Sequence, residues 1–383
     1  MKTLIKFLTI IILNLCIIYQ NALSSDKIKI GLIVPLSGEY AEIGNSIVKS
    51  ARMAINKIDD HRIEIIPKDT RSNPIDALRV SKKLQDEGIR IIIGPVFNES
   101  TKYLDDIKNV TFLSFTNKIL DNPSNVISAG VNAVSQINTI KKFKKDRNLK
   151  RSIFLIPKTD YKNEVEKGIK ESNIKIKEVF FYDKEPTLLT KQIEKLTRYS
   201  QRKKILQDEI KKLENSSSKN NERKIEKLKK KDTMGSINFD SVIIADFDES
   251  LKSVATSLLY TDVSPERATY ITLNQWFDKT LLKETSLHPI YFPSINKENY
   301  NEFSNNYLKI YGENPNQLSF LSYDLIGFVY FLLYENNFKI SKKIFYKKNK
   351  FKGKIGIFEI DKNIITHKLN FYSTEADKFK KIF

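Results

Sequence analysis

Apolar runs of strand length alternate along this chain with stretches whose apolar residues recur every three or four positions. The first run, Lys27 to Val34, ends in Ser37-Gly38. Ala41 to Ile58 follows, with Ile43, Ile47, Ala51, Ala54, Ile55 and Ile58 on one helical face. Arg62 to Ile66 reads as a strand closed by Pro67-Lys68-Asp69-Thr70. Pro74 suits the first turn of a helix that carries Ala77, Leu78, Val80, Ser81 and Leu84 and stops at Gly88. Ile89 to Ile93 is short and apolar, the pattern of a parallel strand covered on both faces. Asn98 to Ile107 is predicted helical and Thr111 to Phe115 a strand. A second series repeats the alternation. Strands are predicted at 151–157, 174–182, 239–246 and 268–273, and helices at 160–170 and 249–260. Leu325 to Tyr334 reads as a buried helix.

Repeated strand–helix units of this kind predict an α/β chain of two doubly wound, Rossmann-like lobes with parallel sheets. Ligands of such sheets bind just past the carboxyl ends of the strands. In the first lobe that rule selects Ser37 and Tyr40, then Asn98 and Ser100, then Ser114, Thr116 and Asn117. In the second it selects Tyr161 in Thr159-Asp160-Tyr161, Asp246 in Asp246-Phe247-Asp248, and Trp276 in Asn274-Gln275-Trp276. Hydroxyls, amides and free N–H groups at helix starts suit a small polar ligand. The alternative for each turn taken singly is plain helix capping. Trp276, the single tryptophan, serves equally as pocket wall or core.

Segments spread along the chain resemble a known family. "KIGLIVPLSGEYAEIGNSIVKSARMAINKI", "PKDT", "ALRVSKKLQDEGIRIIIGP" and "VTFLSFTN" resemble type I periplasmic binding proteins of the leucine/isoleucine/valine-binding kind. So do "YGENPNQLSFLSYDLIGFVYFLL" and the closing β segment "FKGKIGIFEIDKNI". The resemblance implies two lobes joined by three crossovers, near residues 134, 293 and 346, closing on a ligand. The first lobe would then hold 26–134 with 294–345, and the second 135–293 with 346–383. Residues 199–263 resemble a narrower subgroup, the alphaproteobacterial penicillin-binding-protein activators. These carry a charged helical insertion before an Asp-Thr-small-Gly step, here Asp232-Thr233-Met234-Gly235. The family's loop after Gly94-Pro95 should be rich in serine to grip a ligand carboxylate, whereas this chain has Phe97-Asn98-Glu99-Ser100. An ionised Glu99 repels a carboxylate at 4 Å by about 1 kcal/mol in water-like surroundings. Either Glu99 points away, or the ligand offers a cation, or no amino acid binds.

The insertion changes the charge picture. Residues 198–232 hold 13 Lys/Arg against 6 Asp/Glu, and Leu206, Ile210, Leu213, Ile225 and Leu228 make a narrow apolar seam around a polar break. This predicts a basic helical hairpin inserted within the second lobe. It is either a docking surface for anionic wall polymer, a membrane surface or a protein, or a solvated insertion. The whole chain has a formal charge of +19, which AT-rich composition, heavy in Lys, Ile and Asn, would also produce.

The N-terminus supplies an address. Lys2 and Lys6, an apolar stretch from Phe7 to Tyr19, and Ala22-Leu23-Ser24 make residues 1–24 an expected signal peptide. The rest is expected in the periplasm, with no membrane span after cleavage. Leu15 is too large for the cleavage motif of a lipoprotein at Cys16, the chain's single cysteine, so no thiol chemistry is expected after processing. No cofactor or metal is expected either. No Gly-rich phosphate loop or G-x-S-x-G turn is present, and His61, His288 and His367 lack ligand spacing. The expectation is therefore a protein that is not an enzyme. Its partners would be a small polar, amino-acid-like ligand and an ABC transporter permease. The alternative partner is a cell-wall synthase, reached through protein contacts with the cleft vestigial. Export argues against nucleic acid.

Overall fold

The computed structural model describes residues 27–216, 221–273, 276–284, 287–376 and 378–383. The expected signal peptide, the hairpin tip and Asn274-Gln275 lie outside them. The chain forms two units, one of residues 27–115, 123–127 and 315–344, the other of residues 116–122, 128–314 and 345–383. In chain order the first elements are β1 (Ile28–Val34), α1 (Ala41–Ile58), β2 (Ile63–Asp69), α2 (Pro74–Asp86), β3 (Ile91–Ile93), β4 (Thr111–Ser114) and β5 (Val126–Ser128). Then come α3 (Ala133–Asp146), β6 (Ser152–Pro157), α4 (Lys162–Ser172), β7 (Glu178–Tyr182), α5 (Pro186–Leu196), α6 (Tyr199–Glu214) and α7 (Asn221–Lys229). The next are β8 (Ser241–Ile244), α8 (Asp248–Tyr260), β9 (Thr269–Thr272), β10 (Ile290–Ser294), α9 (Lys297–Tyr311) and α10 (Gln317–Glu335). The last strands are β11 (Asn349–Lys352), β12 (Ile357–Asp361), β13 (Ile364–Lys368), β14 (Asn370–Glu375) and β15 (Lys378–Lys381).

The first unit is a five-stranded sheet in the order β2-β1-β3-β4-β5, with β1 parallel to both β2 and β3, and β3 parallel to β4. All of β3 is buried, as its apolar run predicts. Ile33, Ile92 and Phe112 pack with Val80 and Leu84 of α2 on one face. α1 and α10 pack together through small hydroxyls. Ser319 Oγ donates to Ser46 Oγ at 2.7 Å, Ser322 Oγ to the Ile47 carbonyl at 3.2 Å, and Ser50 Oγ to the Ser319 carbonyl. α10 is long and apolar enough to cross a membrane, but it buries Phe320, Leu325, Phe328, Val329 and Leu332 in the unit's core. Residues 98–107 are not one α-helix but two 3-10 turns, Asn98–Thr101 and Leu104–Asp106. Polar residues there compete for the backbone, as when Thr101 Oγ1 donates to the Asn98 carbonyl at 2.7 Å.

The second unit holds a seven-stranded sheet in the order β15-β14-β10-β9-β8-β6-β7. The five strands from β7 to β10 are parallel, and β14 and β15 add an antiparallel edge. β6 shows why helices lie on both faces. Ile153 and Leu155 pack with Leu189 and Ile193 of α5 and Leu251 and Leu258 of α8, while Phe154 and Ile156 pack with Ile137 and Phe143 of α3 and Val165 of α4. A separate antiparallel sheet, β11-β12-β13, joins α3 where Asn132 Nδ2 donates to the Ile365 carbonyl at 2.8 Å. α9 packs in this unit, not in the first lobe as expected. Its Phe303 and Tyr307 are buried, Asn299 Nδ2 donates to the Lys354 carbonyl at 2.9 Å, and Glu302 pairs with Lys354 at 2.9 Å.

The basic hairpin is α6 and α7. Leu206 is buried, while Ile210, Leu213, Ile225 and Leu228 are half-buried along the predicted seam. Its root is polar. Arg202, 2% exposed, donates to the carbonyls of Thr197 at 3.1 Å and Thr261. The Asp232-Thr233-Met234-Gly235 step returns the chain to the same point, with Met234 N–H donating to the Arg202 carbonyl and Thr233 Oγ1 to Asp262.

Two predictions follow from packing. A Cβ on Gly44 of α1 would lie 1.7 Å from the Pro35 carbonyl oxygen, which is backbone and has to move. Gly44→Ala is therefore expected to cost about 1–3 kcal/mol despite its better helix propensity, read as a lower urea midpoint. His367 of β13 is 3% exposed; its Nε2 donates to the Ala129 carbonyl at 2.9 Å and its Nδ1 has no partner among the described residues. Burial lowers its pKa to about 4, against the pull of the Ala129 and Gly130 carbonyls. Between pH 4 and the ordinary 6.5 the unfolded chain binds that proton more readily. The stabilisation is thus complete above pH 6.5 and lost as pH falls towards 4, by about 3 kcal/mol. The drop in unfolding free energy from pH 7 to 4 should exceed that of His367→Leu by about this amount.

Candidate functional site

In the first unit the candidate residues gather at the carboxyl ends of neighbouring strands. Beyond β1, the Leu36 N–H and Ser37 Oγ donate to the Asp69 carboxylate at the end of β2, at 2.8 and 2.5 Å. Arg71 N–H adds a third bond at 2.9 Å. Burial raises the Asp69 carboxyl, but the bonds from Ser37, Arg71 and Leu36 outweigh it and leave its pKa lowered. The Tyr40 ring lies 4.8 Å from that of Phe97, which joins the turn after β1 to the turn after β3. Gly94 makes that second turn possible. Its φ is +109°, and a Cβ there would meet the Ile33 carbonyl oxygen at 2.2 Å. The Pro95 carbonyl accepts from Ser114 Oγ at 2.9 Å and from Phe115 N–H at 3.0 Å. Ser114 is completely buried, so its hydroxyl holds the loop. Asn98 Oδ1 and Ser100 Oγ are buried without a hydrogen-bond partner among the described residues. Glu99 between them is exposed.

Thr116 and Asn117, expected with the first lobe, belong to the second unit. Thr116 Oγ1 accepts from Lys118 N–H at 3.1 Å, and Asn117 is half-buried. Glu164 of α4, 3% exposed, holds the following backbone, accepting from Ile119 N–H at 3.0 Å and Leu120 N–H at 2.8 Å. Tyr161 precedes α4 and packs into the layer formed by α3 and α4. Trp276 is half-buried with its ring edge towards Tyr300, centroids 6.1 Å apart.

Asp246, just past β8, is the most strongly held candidate. Its side chain is 2% exposed and accepts from Tyr182 Oη at 2.7 Å, Lys184 Nζ at 3.0 Å and Phe247 N–H at 3.1 Å. Thr272 Oγ1 donates to its backbone carbonyl at 2.9 Å. Burial, then the Asp246 charge, push the Tyr182 phenol far above its ordinary pKa, so the phenol stays protonated and donates. Beside this cluster a cleft of about 110 Å³ is lined by Tyr182, Lys184, Leu189, Glu249, Ser250 and Ser253. Asp248 begins α8 with φ +51° and is not seen among the partners of this cluster. Among the described residues no group of three His, Cys, Asp or Glu is placed to hold a metal ion. Asp69, Tyr182, Lys184 and Glu164 were not among the predicted site residues. Asp69 had a local signal, an acid closing a strand, whereas Lys184 and Tyr182 lie more than 60 residues from Asp246.

Residues 27–174 match the model of the periplasmic binding protein family. A putative branched-chain amino acid ABC transporter protein from Rhodospirillum rubrum superposes with a TM-score of 0.69 at 12% identity, over 93% of this chain and 100% of that one. The C-domain of LpoA (YraM) from Haemophilus influenzae, described as a regulator of PBP1A, superposes with a TM-score of 0.61 at 14% identity, again over 93% and 100%. An uncharacterized protein of Methanocaldococcus jannaschii is 29% identical over 109 residues, which are 26% of this chain and 25% of that relative. The chain thus spans about a quarter of that curated relative's length. The resemblance read from the sequence holds at the level of the fold, which both solved neighbours share with this chain, and at the level of the family model over residues 27–174. The chain carries the type I periplasmic binding protein fold in its two α/β units, and its segment 27–174 is similar to the periplasmic binding protein family.

Proposed function

We propose that this chain is a non-catalytic periplasmic module that regulates cell-wall synthesis through protein contacts, in the manner of a penicillin-binding-protein activator. The observation that carries the reading is the pairing of Asp246. A carboxylate at this position would serve a solute receptor by meeting a ligand ammonium, yet here Lys184 and Tyr182 already satisfy it. A ligand amine would have to displace an internal ammonium at no gain in charge pairing. Ser37 and Ser114 are similarly engaged, by Asp69 and the Pro95 carbonyl. The likeness to the LpoA C-domain over its whole length supports the same role.

Solute delivery to an ABC transporter permease is the second reading, and one observation favours it. The buried, unpartnered oxygens of Asn98 and Ser100 stand in the loop where a ligand carboxylate would be held. Under that reading Tyr40 is a further ligand-binding candidate on the first unit, and Thr116, Asn117, Tyr161 and Trp276 are candidates on the second.

Calorimetry against a panel of amino acids separates the two. The regulator reading expects no heat from any of them, together with capture of a purified peptidoglycan synthase. Micromolar binding of an amino acid, lost on Ser100→Ala, would replace it with solute delivery. The internal pairing has its own test. Tyr182→Phe removes a donor to a buried carboxylate and is expected to lower unfolding free energy by about 1.5–3 kcal/mol, measured in urea. A neutral substitution would mean that Asp246 does not rely on the phenol.

A further inference from the structure

We propose that the α6–α7 hairpin, with the pocket at its root, is a docking surface for the anionic phospholipid face of a membrane. Between residues 198 and 232, nine lysines and two arginines are exposed, and of these Lys229, with Glu214 at 3.1 Å, is the one ion-paired among the described residues. On α6 the exposed Lys204, Lys211 and Lys212 lie on the side of the helix away from the Leu206–Ile210–Leu213 seam, and exposed Lys203 flanks the seam. The seam is spent on the hairpin's own packing, so the outward face offers charge. That charge is mostly lysine. Guanidinium forks suit one defined carboxylate or phosphate, whereas hydrated ammonium groups on flexible stems suit the diffuse field of a charged plane. α6 has 16 residues, a length of about 24 Å, so its cations span several lipid headgroups rather than one ligand.

Two features at the root favour lipid over other polyanions. Tyr260 is 55% exposed and packs 5.4 Å from Tyr199, over whose ring Lys203 Nζ sits at 5.0 Å. An exposed tyrosine flanked by lysine is suited to the boundary between water and lipid, with the ring among headgroups and the hydroxyl and ammonium in water. Beside it opens a pocket of about 210 Å³ at the amino-terminal ends of β6 and β7, lined by Lys177, Glu178, Phe180, Lys195, Leu196 and Arg198 among others. Lys195 and Arg198 have no ion pair among the described residues, and Lys177 Nζ uses one donor on the Asn238 carbonyl at 2.6 Å. Three cations against the single carboxylate of Glu178, beside Phe180 and Leu196, match a phosphate ester with its glycerol backbone. The pocket lies at the strand ends opposite those that carry Asp246, so this docking is independent of the regulator reading.

The test is co-sedimentation of the full chain with vesicles of phosphatidylglycerol and phosphatidylcholine in equal parts, against pure phosphatidylcholine. The neutral vesicles measure what the apolar N-terminal stretch contributes. The expected result is partitioning about tenfold or more in favour of the anionic vesicles, falling as salt rises. The combined variant Lys203→Glu, Lys204→Glu, Lys211→Glu and Lys212→Glu should remove most of that preference with circular dichroism and melting unchanged. Lys195→Gln with Arg198→Gln should weaken it about two- to threefold. Equal partitioning onto both vesicle types would overturn the proposal, as would anionic preference that survives charge reversal. Charge reversal that abolishes capture of a protein partner or binding to heparin but leaves vesicles bound would also overturn it, assigning the hairpin to another partner. An amino-acid panel or synthase assay that goes against the regulator reading leaves the vesicle result untouched.

Discussion

A parallel strand covered on both faces has no place for an unsatisfied polar side chain. Every residue of β3 and β8 is buried, and a lone hydroxyl or amide there would lose its water at a cost of about 1–3 kcal/mol. Ser152 and Ser241, which open β6 and β8, bond each other across the two strands at 2.6 Å. Polar chemistry is otherwise driven to the strand ends, and that is where Asp69, Ser114 and Asp246 stand. The fold thus concentrates functional groups at the strand ends in each unit whether or not a ligand is there to use them.

What this chain does with those groups is particular to it. Asp69 gathers the turn after β1, Pro95 gathers the end of β4, Glu164 gathers the backbone at 119–120, and Asp246 gathers β7 and the residues after it. Each of these four acceptors is a brace for a loop. A brace of this kind pre-forms a surface, which suits a contact that changes little on binding. Asn98 and Ser100 depart from the pattern, and they sit in the loop where the sequence itself departs from the serine-rich form expected of amino-acid receptors.

Much of this was legible in the sequence, because periodicity reports which faces are buried and burial decides the sheets. The alternation of strands and helices, the buried character of α10 and the apolar seam of the hairpin were all readable from spacing alone. The pairing of Asp246 was not, since its partners come from β7 and the residue two beyond it, and no local pattern links them. The 3-10 turns at 98–106 were misread because apolar spacing suggested a helix while Asn98, Ser100, Thr101 and the aspartates favour local side-chain bonds to the backbone. Residues 297–311 were expected in the first lobe because the family resemblance put a crossover near 293, whereas α9 groups with the second unit. Phe303 and Tyr307 fit either unit on composition, and the bonds through Asn299 and Glu302 to Lys354 place it.

The polar root of the hairpin bears on how such an insertion is carried by the fold. Arg202 and Leu206 are buried, and past them the two helices hold mainly to each other through half-buried seam residues and the Asn221 bonds to Leu213 and Ser216. The sheet behind is therefore indifferent to what lies beyond the second turn of α6. That arm can be lengthened, shortened or recharged while the graft point stays fixed. The same freedom makes residues beyond Leu206 a natural seat for a foreign epitope or a fluorescent reporter.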